Sequence, residues 1–103
     1  MAKYVYLYTG GSMAKTPEEQ EAVLQAWGAW FGTLGGAIID GGNPFAGAAT
    51  ISADGSVSDG GASGITGYSL ISAVSLNDAV TGAKDCPVLT VGGTVQVYEA
   101  IDM

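Results

Sequence analysis

The segment 16-TPEEQEAVLQAWGAWFGTLGG-36 carries the clearest structural signal in this chain of 103 residues. A threonine, a proline and a glutamate stand at the N-cap, first and third helical positions, which is the pattern of a capping box. The large apolar residues that follow recur at the spacing of one helix face, and they are Val23, Trp27, Trp30, Phe31 and Leu34. Two glycines then provide a helix stop. The segment therefore predicts an α-helix over 17–34, with Trp27 and Phe31 on its buried stripe and Trp30 at the edge of that stripe.

Strand patterns stand on both sides of this helix. Alternation and β-branched or aromatic residues predict strands over 3–8, 37–40, 68–74 and 94–101, and a hairpin over 48–58 that turns at Asp54-Gly55. Ser75 resembles the N-cap of a short second helix ending near 83–84, residues 60–67 are typical of a glycine-rich loop, and 88–91 fits no single state. The order βα, β, hairpin, βαβ predicts one α+β domain over 1–103, most simply a ferredoxin-like sandwich.

The predicted strands carry apolar side chains on both faces. In the first strand, tyrosines at 4, 6 and 8 alternate with Val5 and Leu7. Two helices can cover only one face of such a sheet, and the simplest cover for the other is a second copy of the same sheet. Charged residues make up 13 % of the chain, about half the usual share. We therefore expect a homodimer in which two sheets pair into an α/β barrel.

The composition excludes several classes of function. Three lysines stand against ten carboxylates, which gives a formal charge of −7, so we expect no binding to nucleic acid or to anionic membranes. The chain has no histidine, which excludes Ser-His-Asp catalysis and histidine-based metal sites, and we expect neither a metal nor a cofactor. Its single cysteine, Cys86, cannot form an internal disulfide and is expected to be buried. With no apolar run near the ~20 residues of a membrane span and no secretory signal pattern, we expect a cytoplasmic protein.

Three further segments give the chain a family resemblance: 57-VSDGGASGITGYSLI-71, 75-SLNDAVTGAKDCP-87 and 95-VQVYEAI-101. Together with the TPEEQ helix start and the AW-x-x-WF pattern at 26–31, they resemble the YCII-related family, and more narrowly its branch with a DGPF motif. This resemblance implies a ferredoxin-like unit that pairs into a dimeric α/β barrel. Only Asp59-Gly60 of the DGPF motif is present, and the histidine of the His–Asp pair proposed as the family's active site is missing. Asp59 is therefore the one residue whose role the resemblance carries over.

Two carboxylates are candidate catalytic groups. Asp59 lies in a glycine-rich stretch that would let a ligand approach the backbone, and Asp40 precedes Gly41-Gly42. Either carboxylate could act as a general base in a desolvated pocket. The alternative for both is that the carboxylate caps its own turn, as Asp side chains often do.

Four aromatic residues are candidates for a ligand pocket, and they are Trp30, Tyr6, Tyr8 and Tyr68. Rings provide apolar walls, and phenol hydroxyls can orient a polar ligand atom. We expect the tyrosines, with Tyr4 and Tyr98, to face a barrel interior; the alternative is that the aromatic residues pack in the core or in a dimer interface.

The favoured interpretation is a homodimer that binds a small apolar or aromatic molecule in a pocket between helix and sheet. Whether it is an enzyme stays open; any catalysis would be cofactor-free proton transfer, with Asp59 as the base and a tyrosine as the acid. Two alternatives remain. The protein is a non-enzymatic interaction or sensory module that docks through its glycine-rich loop, or it is a family member that retains the fold without an active site.

Overall fold

A four-stranded antiparallel sheet with two helices on one side forms the body of the protein in the computed structural model, which describes residues 2–10, 15–61 and 64–102. The elements in chain order are β1 (Ala2–Thr9), α1 (Pro17–Leu34), β2 (Ile38–Asp40), β3 (Ala49–Ile51), β4 (Val57–Asp59), β5 (Ile65–Ala73), α2 (Leu76–Ala83) and β6 (Thr94–Ala100). Short 3-10 turns occupy Gly35–Ala37 and Pro87–Val91. The second of these is called the 87–91 turn below.

The sheet has the strand order β2-β5-β1-β6, and each neighbouring pair is antiparallel. Between β2 and β5 in the chain, β3 and β4 form a separate two-stranded hairpin. The predicted α+β class is confirmed. The order of the four main strands is consistent with a ferredoxin-like fold into which a hairpin is inserted. β2 and β6 form the two opposite edges of the sheet.

The first helix begins where the sequence predicts because its start is capped locally, and it ends before the two glycines as predicted. The Thr16 Oγ1 atom accepts a 3.1 Å hydrogen bond from the Glu19 backbone N–H, and the Glu19 carboxylate accepts one of 2.7 Å from the Lys15 N–H. In the second helix, Ser75 Oγ accepts from the Asp78 N–H at 3.2 Å. Such caps satisfy backbone donors that have no partner inside a helix.

The helix-facing side of the sheet holds the core. The tyrosines of β1 that point to this side are at most 6 % exposed, and they are Tyr4, Tyr6 and Tyr8. Their partners across β5 are Ile71, Ser69 and Gly67, which are small or aliphatic and leave room for the rings. Ala79 and Ala83 of α2 pack over them. These three tyrosines therefore pack against the helices, and the expectation that they face a barrel interior is wrong, because the alternation of β1 turns them towards α1 and α2.

Most strand boundaries lie within two residues of the sequence prediction, and the largest difference is at the start of β5. β5 begins at Ile65, inside the stretch predicted as a glycine-rich loop, while residues 62 and 63 of that stretch lie outside the described residues. Gly67 belongs to the strand because the chain crosses it closely: a Cβ there would lie 3.2 Å from the Asn43 carbonyl oxygen and 3.3 Å from Pro44 Cα. The glycine permits this close backbone approach and does not mark a loop.

The opposite face of the sheet is uncovered among the described residues. Its central side chains come from neighbouring strands in register: Val5 pairs with Leu70, and Leu7 pairs with Tyr68. Tyr98 of β6 pairs with Val5 from the other side and is 53 % exposed. The apolar part of this surface, formed by Val5, Leu7, Tyr68, Leu70 and Tyr98, is called the open face below, and polar Gln96, the register partner of Leu7, lies beside it.

Candidate functional site

The structure divides the six candidate site residues among three places. Tyr6, Tyr8 and Trp30 lie together in the layer between helices and sheet. Asp40 and Tyr68 meet at the β2 edge of the open face. Asp59 stands alone at the end of β4 in the hairpin.

In the layer between helices and sheet, the polar atoms of the aromatic residues are already bonded. Tyr6 donates its hydroxyl proton to the carbonyl oxygen of Ala79, and the Trp30 indole N–H donates to the carbonyl oxygen of Gly82 at 2.9 Å. Tyr8 donates to Ser69 Oγ at 2.7 Å, and Ser69 donates onward to a backbone carbonyl. Within the described residues, no buried side-chain polar atom lacks a partner. The Tyr6, Tyr8 and Trp30 donors of this layer are therefore already used within the protein.

Trp30 is the most buried residue of α1, at 4 % exposure, whereas Trp27 and Phe31 are half-buried. The prediction that Trp30 lies at the edge of the stripe is therefore wrong. The helix packs on the 87–91 turn, and the Trp30 side chain also reaches Gly82 of α2 and Tyr6 of β1, so Trp30 points inwards. The Trp30 ring stacks on Tyr6 with centroids 5.8 Å apart and meets Trp27 edge-on at 5.5 Å.

Burial also sets the ionisation of the groups in this layer. It raises the pKa of Tyr6 to about 12 and raises the pKa of Tyr8 further, because a phenolate would lose its hydration there. Burial likewise raises the pKa of the Cys86 thiol to about 11. Cys86 is 1 % exposed, so its predicted burial is confirmed. At neutral pH all three groups are protonated, which suits hydrogen-bond donors and not nucleophiles or bases.

The β2 edge of the open face brings a carboxylate, a phenol and an aromatic ring together. Asp40 Oδ2 accepts a 3.4 Å hydrogen bond from the Tyr68 hydroxyl, and the ring of Phe45 stacks on Tyr68 with centroids 5.7 Å apart. Asp40 Oδ1 accepts a 2.9 Å bond from the Gly42 N–H, which is the turn cap given above as the alternative role. The same carboxylate thus caps its turn and holds the phenol. We call Asp40, Phe45 and Tyr68 the edge cluster.

The backbone at Gly42 builds this cluster. Gly42 has φ of +78°, and a Cβ there would lie 1.7 Å from the carbonyl oxygen of Tyr68. The Gly-Gly pair after β2 therefore lets the chain run directly against β5. Sequence reasoning assigned the pair to a strand exit and missed Phe45; the signal that could have found Phe45 is an aromatic residue directly after a Gly-Asn-Pro turn.

Asp59 is exposed, and its Cα partner in the hairpin is Ala49. The hairpin turn is capped by a different carboxylate: Asp54 Oδ1 accepts from the Ser56 N–H at 2.9 Å and from the Ser56 hydroxyl at 2.7 Å. The described residues of a single chain do not bring Asp59 together with a tyrosine. The desolvated pocket that a general base would need is therefore not formed around it by these residues.

Two shallow grooves lie on the helix side. One, of about 390 Å³, is lined by α1 and the 87–91 turn with the Asp85 carboxylate beside it. The other, of about 310 Å³, lies between α2, the 87–91 turn and β6, and Lys84 is its charged member. In the described ranges, no group of three or more His, Cys, Asp or Glu side chains is placed to hold a metal ion. Among the described helices, none combines the length and apolar character needed to cross a bilayer.

Comparison with known proteins found no matching family model, no matching curated protein and no matching solved structure.

Proposed function

We propose that the protein is a homodimer that binds a small apolar or aromatic molecule between the open faces of its two copies. The observation that carries the proposal is the open face itself, with aliphatic side chains in its centre and aromatic ones at both sides. A contiguous apolar surface of this kind on a soluble domain marks an interaction site. Pairing two such faces gives the dimeric α/β barrel that the resemblance to the YCII-related family implies.

The edge cluster supplies the polar part of the proposed site. Binding pockets combine apolar walls with a few placed polar groups that orient the ligand. Tyr68 offers a hydroxyl and an aromatic face, and Asp40 offers an acceptor. We therefore assign the ligand's polar atom to this cluster and its apolar body to the neighbourhood of Leu7 and Leu70. The bonded state of Tyr6, Tyr8 and Trp30 supports the open face over the helix–sheet layer as the location.

Native mass spectrometry of the unmodified protein with a library of small aromatic and apolar compounds tests this function. A compound that binds is then measured on Asp40→Asn and Tyr68→Phe. Asparagine keeps an oxygen to accept from the Gly42 N–H, so the turn is preserved while the charge is lost. We expect each change to weaken binding about tenfold, the typical cost of one charged hydrogen bond.

Two matched variants control for general effects on the fold. Asp78→Asn removes an exposed carboxylate of α2, and Tyr4→Phe removes a phenol hydroxyl on the helix-facing side. Both are expected to bind the compound as the unmodified protein does. Binding that survives unchanged in Asp40→Asn and Tyr68→Phe, or a library in which no compound binds, would contradict the proposed function.

A further inference from the structure

The β3–β4 hairpin stands away from the body of the protein as an arm, defined here as residues 49–59. Its two strands contact each other and have few contacts with the sheet or helices. The molecule is correspondingly extended, with a radius of gyration of 15.0 Å against about 13 Å for a compact domain of ~100 residues. A two-stranded hairpin alone is marginally stable in water, so an arm of this kind gains most from a partner surface.

The arm is nevertheless well ordered by its own turn. Gly55 takes φ of +89°, its N–H donates to the Ser52 carbonyl at 2.8 Å, and the Ser52 N–H donates to the Ser56 carbonyl at 2.8 Å. The Asp54 carboxylate caps the same turn. These bonds fix the arm's shape before any contact with a partner, which lowers the entropic cost of binding.

One face of the arm is apolar and ends in a carboxylate. Ile51 and Val57 are cross-strand partners, exposed by 71 % and 67 %. Asp59 follows Val57 by two residues and therefore lies on the same face. Asp54, the arm's other carboxylate, is engaged in the turn, which leaves Asp59 as the charge available to a partner.

The groove between α2, the 87–91 turn and β6 has the complementary pattern. Its apolar lining residues are Leu76, Val80, Ala83, Leu89, Val95 and Val97. The remaining lining residue is Lys84, which is exposed and has no ion-pair partner in the described parts of the chain. The groove and the arm are therefore complementary. Each is an apolar surface bordered by one available charge, which is the positive Lys84 in the groove and the negative Asp59 on the arm.

The arm of one chain does not occupy that chain's own groove. It is joined to β2, at one edge of the sheet, and to β5, the next strand in, whereas the groove borders β6 at the other edge, so two to three strand spacings of about 5 Å each separate the arm's attachment from the groove. A second copy of the chain removes this separation. Under two-fold symmetry each copy contributes one arm and one groove, so both contacts form at once.

We propose that in the homodimer the arm of each copy lies in the groove of the other, with Ile51 and Val57 against its apolar wall and Asp59 paired with the partner's Lys84. The inference rests on the homodimer of the proposed function but not on its ligand. It gives Asp59 a role in assembly. It also explains how one contact covers two apolar surfaces, the arm and the groove, that the described residues of a single chain leave exposed.

Charge exchange tests the pairing through the dimer dissociation constant, measured by sedimentation equilibrium. Asp59→Lys and Lys84→Glu each place like charges together, and each is expected to weaken the dimer about tenfold. The double variant Asp59→Lys/Lys84→Glu restores opposite charges and the net charge of the unmodified chain, and its dissociation constant is expected to return to within about threefold. Lys15→Glu makes the same charge change as Lys84→Glu at an exposed position just before α1 and is expected to leave the constant unchanged.

The apolar part has its own variants. The double variant Ile51→Ser/Val57→Ser is expected to weaken the dimer about tenfold or more. Leu24 is 73 % exposed on α1, outside the arm and the groove, so Leu24→Ser is expected to leave the dimer dissociation constant unchanged. Thermal unfolding of each variant checks that the body remains folded.

If the double charge variant dimerises no more tightly than the single charge variants, or if the double serine variant dimerises normally, the arm contact is overturned. Loss of the dimer on Leu7→Thr/Leu70→Thr in the same series would then leave the open-face proposal standing. An unmodified protein that is monomeric throughout would overturn both.

Discussion

The indole N–H of Trp30 donates a 2.9 Å hydrogen bond to the carbonyl oxygen of Gly82, which joins the two helices. Gly82 lies in the last turn of α2, where backbone carbonyls have no donor within the helix. The contact is also close: a Cβ at Gly82 would lie 3.1 Å from the Tyr6 hydroxyl oxygen and 3.3 Å from Leu34 Cδ2. One indole group therefore satisfies one carbonyl at the end of α2 and fills space between α1, α2 and β1.

Trp30→Phe tests this relationship. The substitution leaves the Gly82 carbonyl without its buried donor and removes part of a packed ring system, so the free energy of unfolding should fall by about 2 kcal/mol. Trp27→Phe is the matched control, because Trp27 is half-buried and its indole N–H donates to no described residue. Urea unfolding of both variants measures the difference. Equal losses would show that the hydrogen bond contributes nothing beyond ring size.

Gly42→Ala tests the close approach that positions the edge cluster. Alanine there would combine a left-handed φ of +78° with a Cβ 1.7 Å from the Tyr68 carbonyl oxygen, so β2 must move away from β5. We expect a loss of about 3 kcal/mol or more in the free energy of unfolding. Gly41→Ala, at a position with open space around it, should cost less than about 1 kcal/mol. Similar costs at both positions would count against the close packing.

Stability should fall at alkaline pH because buried groups hold their protons more tightly in the folded state. Cys86 has a pKa of about 11 against an ordinary 9.0, and Tyr6 has a pKa of about 12 against 10.0. The unfolded chain therefore releases these protons first, and stability is lost as pH rises above about 9. The slope reaches about 1.4 kcal/mol per pH unit for each group. Urea unfolding from pH 7 to 11 measures this loss of stability. Tyr6→Phe should reduce the slope of unfolding free energy against pH above pH 10. An unchanged slope in that variant would exclude Tyr6 as a contributor.

The sequence predicted the elements well where a local interaction decides them. The bounds of α1 follow from Thr16, Pro17 and the glycines after Leu34, and the hairpin follows from the Asp54-Gly55 turn. Both signals act within a few residues, so no tertiary contact is needed to interpret them. The sequence also predicted which residues share each face of β1, because alternation alone separates the tyrosines from Val5 and Leu7.

Features that depend on packing between distant segments could not be predicted from local sequence patterns. Helical spacing makes Trp27, Trp30 and Phe31 neighbours on one side of α1, and the positions of α2, β1 and the 87–91 turn make Trp30 the buried one. The edge cluster needs the crossing of residues 41–45 over β5, which no local pattern predicts. Asp59 was predicted as a site residue from a motif, but a motif does not predict which residues surround it, and in the structure these are residues of the hairpin.

The molar mass of the unmodified protein in solution tests the central claim, that two chains pair through their open faces. Light scattering at micromolar concentration should give twice the 10.3 kDa of the chain. Leu7→Thr/Leu70→Thr should reduce it to the mass of one chain while the protein remains folded, and Leu24→Thr should not. A mass of one chain for the unmodified protein, or a dimer that persists in Leu7→Thr/Leu70→Thr, would contradict the account.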